Sequence, residues 1–122
     1  MTPDLEALGR RAVACCRWRW MGGMLWRYSD GRPGSRIDDS ESDDDGTLDH
    51  AVHAVPDLSD PATMGCLLAL VREAWRDPIA VAVVPAYMFP AAPRFWLACF
   101  GATDLSASTE AEALVLALES AP

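Results

Sequence analysis

The sequence predicts a single α+β domain, an antiparallel sheet of about four strands packed with about three helices, spanning residues 1–122. Three observations carry this expectation. The length of 122 residues and an apolar fraction of 51% suit one hydrophobic core. Three segments place apolar residues at spacings of three and four behind residues that start helices. Between them lie short apolar or alternating runs bounded by Gly and Pro, as strands are.

The first helix is expected over Pro3 to Cys16. Thr2 stands as N-cap and Pro3 at the first helical position, Asp4 and Glu6 sit at the positive end of the helix dipole, and Leu5, Leu8 and Ala12 form the stripe. Arg17-Trp18-Arg19-Trp20 alternates and predicts a strand with both Trp on one face. Gly22-Gly23 then reverses the chain, Met24 to Tyr28 returns, and Ser29 to Gly34 is loop. Leu48 to Val55 predicts a short strand. The second helix is the most strongly marked: Asp60 caps it, Pro61 opens it, and Met64, Leu67, Leu68, Val71 and Trp75 form its apolar stripe before Pro78 stops it. Ile79 to Val84 and Arg94 to Phe100 predict an antiparallel pair. The prolines between them place Pro85 to Pro93 in a loop. Thr109 and Glu112, at capping-box spacing, start the last helix, which runs to Glu119.

Charge is unevenly laid out. The net charge is −8, yet residues 1–36 hold seven Arg against three acids. Residues 37–60 hold nine acids and no basic side chain, six of them in Asp38, Asp39, Glu41, Asp43, Asp44 and Asp45. Such a run is too polar to bury and repels itself, which predicts a mobile acidic loop at about 38–49. An acidic whole disfavours direct nucleic-acid and anionic-membrane binding and suits a basic partner. The four Cys, the polar opening segment and the lack of a membrane-length apolar run predict a cytoplasmic protein with reduced thiols.

Trp26-Arg27-Tyr28-Ser29-Asp30, the strand around Trp96, the segment Pro56 to Trp75 and the terminal Ser108 to Ala113 helix start together resemble small uncharacterised phage and prophage proteins of the α-β-α sandwich type. The resemblance spans about two thirds of the chain and implies lineage more than chemistry. No catalytic set comes with it, and the acidic insertion departs from the usual short connection.

Glu41, Asp43, Asp45, Gly46, Thr47 and Asp49 fall near the loop positions of a calcium-binding hand, but Val52 occupies the position of the bidentate Glu, so no metal or other cofactor is expected. Arg17 to Trp20, with Arg10 and Arg11, has the composition of a single-strand stacking platform, although core Trp with solvated Arg explains it as well. His50 and His53 lack a Cys partner at zinc-site spacing, and Cys66 and Cys99 sit in apolar surroundings. Tyr87, Met88 and Phe89, bounded by prolines, form a candidate apolar contact.

These features together predict a non-enzymatic, phage-derived binding protein acting in the host bacterial cytoplasm. Its most concrete form is an anti-CRISPR-type inhibitor that mimics nucleic acid. Asp38, Asp39, Glu41, Asp43, Asp44 and Asp45 would enter the basic groove of a host protein such as a CRISPR effector. The alternatives are a structural or self-associating phage accessory protein using Tyr87, Met88 and Phe89, or an enzyme built on Cys66 or Cys99 with a His.

Overall fold

The computed structural model describes residues 3–37, 54–76, 82–88, 92–100 and 103–122, with side chains over 4–37, 54–76 and 106–122. The class is α+β. In order the elements are α1 (Pro3–Ala14), β1 (Leu25–Tyr28), β2 (Pro33–Arg36), β3 (Ala54–Pro56), α2 (Pro61–Ala74), β4 (Ala82–Met88), β5 (Ala92–Phe100), β6 (Thr103–Ala107) and α3 (Glu110–Glu119). In place of one sheet of about four strands, the described strands form two antiparallel sheets of three, ordered β2-β1-β3 and β4-β5-β6.

α2 and α3 start as the sequence predicts, while the Thr2 cap expected for α1 lies outside the described residues. The Asp60 carboxylate accepts from the Thr63 N–H at 2.9 Å and Thr109 Oγ1 accepts from the Glu112 N–H at 3.1 Å, each satisfying an otherwise orphaned donor of the first turn. Glu112 does not complete the reciprocal capping box through the Thr109 backbone; its carboxylate accepts from the Ser108 hydroxyl at 2.8 Å.

α3 is the central element. It packs against α1, against α2 and against all three strands of the second sheet, so its residues from Ala111 to Leu118 are mostly buried. Only a helix apolar nearly all round can sit so. Leu67, Leu70 and Val71 of α2 join Leu114 and Leu118 in a core that also takes Trp20, Met24, Trp26 and Ile37. Each large aliphatic so buried contributes about 1.5–3 kcal/mol. The Trp75 indole N–H donates to the Ala117 carbonyl at 2.8 Å and pins the end of α2 to α3.

Four expectations are corrected. Arg17 to Trp20 is not a strand; Trp20 is buried and Trp18 packs edge-on against it, centroids 5.3 Å apart. The reversal at Gly22-Gly23 therefore joins no hairpin, and β1 pairs instead with β2, across a turn in which Gly31 takes a positive φ. β2 is itself a departure, since Pro33-Gly34-Ser35-Arg36 has loop composition; Gly34 lies so close over the backbone of Trp26 that any Cβ would collide with it. Finally, β4 runs through Pro85 as far as Met88, and β5 begins at Ala92. Among the described strands β4 pairs on one side only, with β5, and an edge strand tolerates Pro85 because its outer side needs no donor. β6 completes that sheet, from a Thr-Asp-Leu-Ser-Ala run that alternates only weakly.

Candidate functional site

The frame of the acidic segment is set by its two ends. Ile37, just past β2, and Ala54, which opens β3, are both buried, at 1% and 5% exposure. β2 and β3 are the two edges of their sheet, on either side of β1. Both run antiparallel to β1, so the chain leaving β2 must travel back the length of β1 and step across two strand spacings. That path is about 17 Å, which five or six extended residues would cover; residues 38–53 supply sixteen. Asp38, Asp39, Glu41, Asp43, Asp44 and Asp45 lie outside the described residues, as do His50, His53 and the calcium-like positions.

Two of the nine acids of residues 37–60 do not belong with that run. Asp57 is buried, and its N–H donates to the Leu25 carbonyl at 2.8 Å. Its carboxylate accepts from the Ser59 N–H at 3.0 Å, from the Ser59 hydroxyl, and from Arg27 Nε at 2.6 Å. Burial opposes its ionisation, but the hydrogen bonds from Ser59 and Arg27 outweigh this and hold the carboxyl below the usual range. Asp60 accepts both guanidinium nitrogens of Arg36 at 2.9 Å and the Thr63 N–H and hydroxyl, each at 2.9 Å. The Arg36 fork is the main reason its carboxyl stays well below the ordinary aspartate range. Thr63 Oγ1 in turn accepts from the Leu25 N–H at 2.9 Å, and Arg36 also donates to the Gly23 carbonyl at 2.7 Å. The pair thus locks the start of α2 onto β1 and β2, which is a structural role.

The arginines of the body are largely spent in the same way. Of the nine whose side chains are described, six meet carboxylates of the body: Arg10 with Glu6, Arg11 with Glu119, Arg19 with Glu73, Arg27 with Asp57, Arg32 with Asp30 and Arg36 with Asp60. Arg32 also lies over the Tyr28 ring, 4.5 Å from its centroid. The stacking platform weighed from the sequence is not assembled, since Trp20 is in the core and Arg19 is held by both oxygens of Glu73 at 2.7 Å.

Tyr87 and Met88 are the last two residues of the edge strand β4, in register with Pro93 and Ala92; Phe89 lies outside the described residues. Cys66 donates to the Gly22 carbonyl across 3.6 Å. Burial, with the charge of Asp60 behind it, pushes its thiol up, so it is held in the less nucleophilic protonated form. Cys99 lies in β5, opposite Ala82 and Asp104. Among the described residues no cluster of three His, Cys, Asp or Glu is placed to hold a metal, and no helix is long and apolar enough to cross a membrane. The cap at Asp60 was read from the sequence but not its pairing with Arg36, and the fold-locking role of Asp57 was missed by counting charge alone, although the Asp-x-Ser spacing was there to separate it.

Compared with protein-family models, curated proteins and solved structures, the chain finds no match.

Proposed function

We propose that this chain is a non-enzymatic binding protein that grips a cationic surface through Asp38, Asp39, Glu41, Asp43, Asp44 and Asp45. One observation carries the reading: six arginines of the described body are already engaged by carboxylates of the body, which leaves few internal cations to neutralise the acidic run. The surplus length between β2 and β3 supports it as well, because closing the fold needs only about a third of those residues. The concrete form is occupation of a basic nucleic-acid groove, as an anti-CRISPR-type inhibitor of a phage would do. Closely spaced carboxylates displace the counter-anions of such a groove as phosphates do.

The test is capture from bacterial lysate at low and high salt, comparing the native chain with one in which the six acids become Asn, Gln or Ser. A basic, nucleic-acid-handling partner is expected, recovered at low salt, displaced by double-stranded DNA and lost with the six substitutions. Recovery of no basic partner, or undiminished recovery by the substituted chain, overturns the proposal.

A second reading, self-association through Tyr87, Met88 and Phe89, draws support from the position of β4 at a sheet edge. It predicts a concentration-dependent mass in sedimentation that Tyr87→Ala with Phe89→Ala abolishes. A monomer at all concentrations rejects it.

A further inference from the structure

We propose that the groove where the three helices begin is a docking site for a basic amphipathic helix of a partner protein. This goes beyond the acidic-segment reading and does not rest on it. The groove encloses about 580 Å³. Buried Leu58 and Leu114 belong to its lining, together with half-buried Leu5, Met64 and Leu68. These come from α1, the α2 approach, α2 and α3, so no single element accounts for the apolar surface. A second depression of about 490 Å³ shares Leu5 and Thr109 with it and continues along α1 to Leu8. The apolar strip is therefore longer than one side chain, as a helix presenting residues at i, i+3 and i+4 requires.

Charge selects the occupant. Glu110, in the first turn of α3, lines the groove, and Asp4, in the first turn of α1, lines the adjoining depression with Glu112. Arg11, which lines the second depression, already donates to Glu119 at 2.6 Å. An apolar strip edged by carboxylates repels anions and acidic peptides and favours a segment with Leu-like residues on one side and Lys or Arg along its flanks. Gly65 lines the groove as well, and open space lies where its Cβ would be. A Cβ placed there meets no neighbouring atom of this protein, so a longer side chain is accommodated at the edge that the groove shares with a depression lined by Ala69, Arg72 and Glu73.

The probe is a peptide of about 15 residues made only of Leu and Lys, with Leu at helical spacing. A scrambled peptide of the same composition is the control, and binding is read by NMR titration of the full chain. The periodic peptide is expected to bind at least tenfold tighter than the scrambled one and to shift the amides around Met64, Leu68 and Leu5. Gly65→Gln removes that advantage while its spectrum stays folded, and Asp4→Asn with Glu110→Gln lowers affinity and flattens its salt dependence. A chain with the six acids of residues 38–45 neutralised keeps the advantage. Equal binding of the two peptides, unchanged binding to Gly65→Gln, or an advantage lost only when the acidic run is neutralised overturns the proposal. The last result would place the peptide on that run and leave the acidic-segment reading standing.

Discussion

At the scale of single residues, Asp57 and Asp60 show how position divides side chains that composition treats alike. Both belong to the acidic stretch of residues 37–60, yet each is consumed by the fold through an arginine and the backbone at the start of α2. Asp60→Ala removes the cap of α2 and frees the Arg36 fork, at an expected cost of about 1–2 kcal/mol. Asp57→Ala leaves Arg27 and Ser59 without their buried acceptor and costs about 2–3 kcal/mol. Both carboxyls are held below their ordinary range in the folded chain, so the stability they contribute is complete above the unfolded value of about 3.9 and is lost as the pH falls towards their folded values. Denaturant titrations should therefore be flat from pH 7 to about 5 and fall steeply below about 4. The double variant Asp57→Asn with Asp60→Asn should start lower at neutral pH and show a shallower acid limb. An acid limb unchanged in that variant would remove the pair from the account.

Elements were legible where local signals and tertiary demands agree. The Asp60-Pro61 and Thr109-to-Glu112 starts held because a cap acts within one turn, whatever packs around it. The strands were less legible. β2 has the composition of a loop and exists because Gly34 lets the chain pass close over Trp26, and β4 keeps its course through Pro85 because it lies at an edge. Neither condition is written in the local sequence. Arg17 to Trp20 alternates like a strand, but burial of Trp20 among the helices decides its course. The helical glycines give a paired prediction on the same theme. Gly→Ala in a helix interior gains about 0.5–1 kcal/mol of propensity. Gly65→Ala should realise that gain, since its Cβ meets nothing within 4 Å. Gly9→Ala should be destabilising, because its Cβ would stand 2.6 Å from Val55 Cγ1 and 3.1 Å from the Pro56 carbonyl, where α1 lies on β3. Thermal melts of the two variants should move in opposite directions, and a shared direction would mean that α1 does not sit this close to β3.

For the whole molecule the question is whether folding and the proposed binding use separate charges. Of the candidate site, the sequence displayed the location of the acidic run and the cap at Asp60, but not that Asp57 and Asp60 are each paired with an arginine, since that depends on which arginines the fold brings near. Once those two are set aside, the carboxylates that the described arginines engage are Glu6, Asp30, Glu73 and Glu119 of the body. Replacing all six with Asn, Gln or Ser takes the formal net charge from −8 to −2. If the charges are separate, the substitution leaves the core, the caps and the Arg27 and Arg36 pairs intact. The melting temperature should then move by no more than a few degrees, consistent with surface changes of about 0.5 kcal/mol or less each. Relief of like-charge repulsion makes any net shift upward at low salt and smaller at high salt. Binding to a cationic surface should respond in the opposite sense, with lower affinity and a flatter dependence of log K on log salt as fewer ions are released. Parallel melts and salt-dependent binding on the same two proteins separate these terms. A large loss of stability would place the six acids among the fold's own ion pairs, and their charge would then not be free for a partner.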